Sequence, residues 1–167
     1  MKKIHLSEQD IAEILSVSKT FVETDGTGYK RRANYNCRDM NIGMAGERAY
    51  EIFTGYEWNK NASDHGGPRA DFYDHDGNGI QVKTVSYNGP GPKELKLKRK
   101  ETLRLTKPEN NIIKLVLCYY NHNVDPGSCY IIGEISTENF IKKHKVKRYN
   151  NNELDVVVEM DLDTIFS

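Results

Sequence analysis

The chain of 167 residues is 37% hydrophobic and 29% charged, and its 24 basic residues balance its 24 acidic residues. This composition fits one globular domain over residues 1–167, and it excludes a disordered chain and a uniformly polycationic protein. No apolar run approaches the roughly 18 residues of a membrane span, no signal-peptide pattern opens the chain, and the 3 cysteines lack metal-ligand spacing. We therefore expect a cytoplasmic protein without a membrane partner.

Two helices are predicted in the first third of the chain. Ser7 is a suitable N-cap for a helix over about residues 7–22, because apolar residues recur there on one face. A loop with glycines, tyrosines and basic residues follows. A second amphipathic helix is predicted over about 40–54 and ends at Gly55.

The second helix contains two glycines. Asp39 or Asn41 is its expected N-cap. Gly43 and Gly46 each weaken a helix by roughly 1 kcal/mol relative to alanine. Their presence indicates a close approach of this helix to another part of the protein.

A β-hairpin is predicted over residues 70–75 and 80–85, because residues typical of a tight turn separate two extended segments. Side chains alternate between the two faces of a strand. Gln81 and Lys83 therefore share one face, and Val82 lies on the other.

The hydrophobic pattern also predicts the register of this hairpin. With a loop of odd length, Asp71 would lie opposite Lys83, and Phe72 would pair with Val82 on the core face. This register gathers Asp71, Gln81 and Lys83 on one face of the hairpin.

The second half of the chain favours strands. Residues 93–106 are compatible with either a helix or an extended segment, whereas 112–120 is the best candidate for a central strand. Further strands are predicted over 129–135 and 154–160, with a short helix over 137–145 between them. The pattern predicts an α+β or α/β fold with a mixed central sheet flanked by helices.

The second helix and the hairpin carry groups suited to phosphodiester hydrolysis, which uses a hard divalent cation held by oxygen ligands. Asp71 would be the principal ligand, with the Gln81 amide oxygen and the Val82 main-chain carbonyl beside it. Glu47 would add a second carboxylate. Lys83 would orient or help deprotonate the attacking water and stabilise negative charge on the phosphate.

These residues resemble the signature of the PD-(D/E)XK nuclease superfamily. The similarity lies in the helical run Gly-Met-Ala-Gly-Glu-Arg-Ala at 43–49, in Asp71 and in the Gln-Val-Lys-Thr run at 81–84. The resemblance extends over about residues 40–87 and implies a restriction-endonuclease-like core in the order helix, three-strand meander, helix, strand. It also implies a DNA endonuclease that uses Mg²⁺, with Mn²⁺ as a possible substitute, bound through Glu47, Asp71 and the Gln81 strand.

The sequence departs from this pattern at two positions. Gln81 stands where an acidic residue is expected, which removes one negative charge from the metal site. Arg69 and Ala70 separate Asp71 from Pro68, so the proline does not directly precede the aspartate.

Basic residues on both sides of the motif would contact the DNA backbone. The candidates are Lys96, Lys98, Arg99, Lys100, Arg104, Arg31 and Arg32. Cleavage of both strands of a duplex needs two active sites, so a homodimer or a higher homo-oligomer is expected. Homing, restriction, junction-resolving and phage or repair nucleases are not separated by the sequence.

Two other functions stay open. Gln81 also fits a nucleic-acid-binding protein on the same fold with weak or no catalysis. A viral inhibitor of a host protein would instead have a protein partner. Within the nuclease interpretation, Glu51, one helical turn after Glu47, is an alternative metal ligand.

Overall fold

The computed structural model describes residues 1–23, 37–60, 70–86 and 94–163. Within these ranges the chain forms eight strands and four α-helices. In chain order they are β1 (Lys2–His5), α1 (Glu8–Glu23), α2 (Cys37–Thr54), β2 (Phe72–Tyr73), β3 (Gly79–Val85), β4 (Glu94–Lys98), α3 (Arg99–Leu105), β5 (Ile112–Tyr120), β6 (Ser128–Ser136), α4 (Thr137–Lys143), β7 (Lys145–Tyr149) and β8 (Asn152–Val158).

Five strands form one mixed sheet in the order β1-β6-β5-β3-β2. The apolar strand β5 is its middle strand, as the sequence predicts, and it pairs in parallel with β3 and antiparallel with β6. The β1–β6 and β2–β3 pairs are antiparallel. The predicted mixed α+β class is therefore confirmed.

The two faces of this sheet are covered differently. On one face α1 and α2 pack against Ile80, Val82 and Val116, and on the other α3 and α4 pack near Leu115 and Leu117. Because side chains alternate along a strand, the even-numbered residues of β3 face α2 and the odd-numbered residues face α3. No helix in the described ranges is long and apolar enough to cross a membrane.

A second sheet has the order β4-β8-β7. It adds Leu95, Leu97 and Val157 to the apolar core beneath α3 and α4. β4 follows the hairpin in the chain but joins this second sheet, so the described residues do not form the three-strand meander that the resemblance implies. The prediction of a helix to residue 145 is also wrong at its end, because α4 stops at Lys143 and the chain continues as β7.

The ends of the first two helices largely follow the prediction. Ser7 Oγ accepts a hydrogen bond from the Asp10 N–H at 3.2 Å, and the Asp10 carboxylate accepts the Ser7 N–H at 2.8 Å, a reciprocal cap. α2 ends before Gly55, whose φ of +75° suits glycine. The predicted start of α2 is wrong by three residues, since the helix already begins at Cys37.

The predicted hairpin register is wrong by two residues. Phe72 pairs with Ile80, and extending this register places Asp71 beside Gln81 instead of Lys83. A shift of two residues keeps every side chain on its face. Gln81 and Lys83 therefore still share one face of β3, and Phe72 and Val82 still lie on the other, although the individual pairs change.

The turn explains this shift. The Asp74 carboxylate accepts the N–H groups of Asp76 at 2.9 Å and Asn78 at 2.8 Å. Gly77 has a φ of +80°. With these hydrogen bonds the turn is centred on Asp76, one residue before the Gly77 centre that the predicted register requires.

Candidate active site

Asp71 lies directly before β2, at the edge of β3 that β2 leaves uncovered. Its Oδ2 accepts a hydrogen bond from the Val82 N–H at 2.7 Å and another from the Gln81 side-chain amide. Only 6% of Asp71 is exposed. The carboxylate thus occupies a position in the hydrogen-bond ladder that a neighbouring strand would otherwise fill.

The same edge presents the main-chain carbonyl of Val82. A strand residue that faces a neighbouring strand directs its N–H and its C=O toward the same side. The Val82 N–H points to Asp71. Its carbonyl oxygen is therefore directed to the Asp71 side as well, as a metal ligand at this position requires.

Residues just after α2 hold Asp71 in place. The Asn59 N–H donates to the Asp71 carbonyl at 2.9 Å, and the Asn59 side-chain amide donates to the Ala70 carbonyl at 3.1 Å. The Trp58 indole N–H donates to the Glu47 carboxylate. This short segment therefore connects the two carboxylates, and the sequence offers no local signal for it.

Glu47 reaches the site because α2 approaches β3 closely. A Cβ atom on Gly46 would lie 1.9 Å from Thr84 Oγ1 and 3.1 Å from Cys118 Cβ. The predicted close approach is therefore confirmed at Gly46. At Gly43 a Cβ would meet nothing within 4 Å, although its carbonyl accepts the Thr84 hydroxyl at 3.2 Å.

The two carboxylates perturb each other. Burial raises the pKa of Glu47 well above its usual 4.5, and repulsion from Asp71 raises it further, while the Trp58 hydrogen bond opposes this. Burial also raises the pKa of Asp71 to about 7, against the opposing effects of the Val82 N–H and the Lys83 charge. The buried Asp71 and the half-buried Glu47, which repel each other, create a place where a cation would be stabilised.

Lys83 lies on the α3 side of β3 and forms an ion pair with Glu101. Its Nζ donates to the two Glu101 oxygens at 2.9 and 3.2 Å. The sequence does not predict Glu101 as a site residue, because it lies 18 positions further along the chain in a mostly basic run. Arg104, one turn later on α3, is exposed and lowers the pKa of Asp71 through its charge.

The arrangement wraps around the edge of β3. Glu47 comes from the α2 side, Asp71 stands at the edge, and Gln81 and Lys83 face α3. Gln81 and Lys83 share one face of β3 as predicted, but the prediction is wrong for Asp71, whose carboxylate lies against the backbone of the strand.

Glu51, the alternative ligand, is engaged elsewhere. Its carboxylate accepts hydrogen bonds from Arg48 and from the Trp58 N–H. Arg48 also binds Asp10 on α1 at 2.7 Å. Glu51 therefore takes part in fixing α2 against α1 and the Trp58 segment.

The predicted DNA-contacting residues have different environments. Lys98 and Lys100 are exposed, whereas Arg99 pairs with the fully buried Asp155 at 3.1 Å. Lys96 lies 3.2 Å from Glu94, which neutralises part of its charge. Arg31 and Arg32 lie outside the described residues.

The oxygen donors at this edge fit a hard cation such as Mg²⁺. They are the carboxylates of Asp71 and Glu47, the amide oxygen of Gln81 and the carbonyl of Val82. No group of three or more His, Cys, Asp or Glu side chains in the described ranges is arranged to hold a metal ion. A cation at this edge would therefore be held by two carboxylates together with an amide oxygen and a main-chain carbonyl oxygen.

Comparison of the chain with protein-family models and with curated protein sequences finds no match.

Proposed function

We propose that this protein is a metal-dependent endonuclease that hydrolyses phosphodiester bonds in DNA. The observation that carries the proposal is the buried carboxylate of Asp71 at the uncovered edge of β3, with the half-buried Glu47 and with Lys83 near enough for their charges to interact with it. Burying a carboxylate close to a second acid is costly unless a cation compensates the two. An ammonium group next to such a pair matches the requirements of phosphodiester hydrolysis.

The topology supports a restriction-endonuclease-like core. The strand after Asp71 is antiparallel to β3, and β3 is followed through α3 by the parallel strand β5. The order helix, hairpin, helix, strand agrees with the order that the resemblance implies except for the third strand of the meander. β4 differs from that order, because it joins the second sheet instead of forming a meander with β2 and β3.

Each residue has a separate part in the proposed reaction. Asp71, Glu47, Gln81 and the Val82 carbonyl would hold Mg²⁺, which, when bound, acts as a Lewis acid on the phosphate. Lys83 donates hydrogen bonds to a phosphate oxygen or to the attacking water, and its charge stabilises the transition state. To serve as a ligand, the Gln81 amide turns its oxygen toward the site, where its nitrogen now faces Asp71.

Exposed cations near α3 would contact the DNA backbone. Lys98, Lys100 and Arg104 are exposed and lie within one helical turn or less of Glu101 along the chain. Contacts of this kind add affinity without sequence preference. Cleavage of both strands of a duplex needs two such sites, which a homodimer would supply.

The second candidate function is nucleic-acid binding with little or no catalysis. Two observations favour it: Gln81 provides no charge, and the Lys83 ammonium is engaged by Glu101. Such a protein would bind DNA in a salt-dependent manner and cleave none.

Cleavage of supercoiled plasmid, branched DNA and single-stranded DNA tests the proposal, with Mg²⁺, with Mn²⁺ and with a chelator. Lys83→Ala is compared with Lys114→Ala, because Lys114 forms a similar ion pair with Glu134 at 2.8 Å. We expect metal-dependent nicking that falls at least about 100-fold in Lys83→Ala only. Equal cleavage by wild type and Lys83→Ala would refute the site, and salt-dependent binding without any cleavage would favour the second candidate.

A further inference from the structure

Lys83 extends from β3 next to two different carboxylates. Its neighbour Val82 donates its N–H to Asp71, so the lysine stem starts one residue from that carboxylate. The ammonium nevertheless binds Glu101 through both of its oxygens, at 2.9 and 3.2 Å. The Asp71 carboxylate is bonded to the Val82 N–H and the Gln81 amide instead.

Glu101 is held on a well-anchored element. α3 buries Thr102 and Leu105 against the core shared with the second sheet. The Glu101 side chain is 23% exposed and that of Lys83 is 36% exposed. A lysine is flexible and can rotate between acceptors, so the position of its partner decides where its charge lies.

We propose that Glu101 is a positioning residue that holds the Lys83 ammonium away from Asp71 and so keeps that carboxylate free for a divalent cation. This inference rests on the proposed metal site. Without Glu101, Lys83 pairs with the buried carboxylate of Asp71, because an uncompensated buried charge attracts an opposite charge strongly. A lysine on Asp71 competes with the cation for the same oxygens.

The expected effect is a loss of metal affinity that depends on Lys83. Glu101→Gln keeps the shape of the side chain and removes its charge. We expect Mn²⁺ to bind about tenfold more weakly to this variant, because an interaction strong enough to shift a pKa by one unit changes an equilibrium constant about tenfold. In the Lys83→Ala background the same substitution should change Mn²⁺ affinity less than about twofold, because no ammonium is left to move onto Asp71.

A double-mutant cycle measured by Mn²⁺ titration calorimetry tests this, without DNA and independently of cleavage. The proteins compared are wild type, Glu101→Gln, Lys83→Ala and the double variant. Glu134→Gln is the matched control, since Glu134 pairs with Lys114 at 2.8 Å. Thermal unfolding in chelator checks that each variant is folded.

Each result has a definite consequence. Weakening by Glu101→Gln only when Lys83 is present supports the positioning role. Equal weakening in both backgrounds shows that Glu101 acts only through its own charge and overturns the role. If the wild type binds Mn²⁺ and Glu101→Gln leaves this affinity unchanged, the positioning role is refuted but the metal site is not. If the wild type binds no Mn²⁺, the metal site itself is refuted and the positioning role with it.

Discussion

Two lysine–glutamate pairs lie on opposite faces of the five-stranded sheet. Lys83 meets Glu101 at 2.9 Å on the α3 side, and Lys114 meets Glu134 at 2.8 Å on the α2 side. Their side chains are similarly exposed, at 36% and 23% in the first pair and 31% and 15% in the second. As isolated ion pairs they are nearly equivalent.

Their surroundings differ. Close to the Lys83 pair lies the buried carboxylate of Asp71, and the charge of Asp71 in turn raises the pKa of Glu47. Near the Lys114 pair lie the half-buried turn carboxylate Asp74 and the Tyr50 hydroxyl, whose pKa is raised by burial and further by the charge of Glu134. An ion pair alone therefore does not indicate a site, whereas a lysine close to a buried carboxylate of raised pKa does.

Exchanging the charges within each pair has the largest expected effect. Lys83→Glu/Glu101→Lys keeps an ion pair but places a further acid close to Asp71, so we expect plasmid cleavage to fall at least about 100-fold. The matched exchange, Lys114→Glu/Glu134→Lys, should leave cleavage within about threefold of wild type, because no site residue contacts that pair. Similar loss in both variants would contradict the distinction between the pairs.

Substitution at Gly46 changes the surroundings of Lys83 without touching the ion pair. Gly46→Ala forces a Cβ to within 1.9 Å of Thr84 Oγ1, and such overpacking destabilises by about 1–3 kcal/mol. Gly43→Ala, where space is open, should be neutral or stabilise by up to about 1 kcal/mol. Urea unfolding measures both, and equal stability of the two variants would refute the close approach of α2 to β3.

A new acid at position 81 tests the charge of the metal site. Gln81→Glu replaces a donor to Asp71 by a third carboxylate, so the variant should be less stable in chelator and bind Mn²⁺ about tenfold more tightly. Differential scanning calorimetry with and without Mn²⁺ measures the two changes. Complete loss of Mn²⁺ binding would show that Gln81 has another role.

The smallest expected effect concerns the ion pairs themselves. Lys83→Met and Lys114→Met should each change the free energy of unfolding by about 1 kcal/mol or less, because both pairs are partly exposed. Chemical denaturation at low and high salt checks this. A much larger effect at Lys83 alone would mean that the pair is structural, which would weaken its interpretation as part of a site.

Local pattern is sufficient for much of the fold. The apolar run of β5, the cap at Ser7 and the stop at Gly55 depend on neighbouring residues, and each is predictable from the sequence. The alternation of side chains also places Gln81 and Lys83 on one face, and an error of two residues in register leaves this intact.

Long-range pairing is not predictable in this way. The strand β4 pairs with β8, which lies far along the chain beyond β5, β6 and β7, and no local pattern indicates this. Glu101 becomes part of the site only because α3 packs beside β3, and Trp58 because its indole reaches Glu47. Such contacts follow from tertiary packing, which sequence periodicity does not encode.

The proposed role of Asp71 is to hold the catalytic cation, and Mn²⁺-dependent plasmid nicking by Asp71→Asn measures this role. The amide oxygen introduced by this substitution can still accept the Val82 N–H, so the hairpin is retained while the charge is lost. Asp76→Asn, an exposed turn position, is the control. If Asp71 has this role, we expect at least about a 1000-fold loss, on the order of 4 kcal/mol in the barrier, for Asp71→Asn and none for Asp76→Asn. Full nicking activity in folded Asp71→Asn would contradict it.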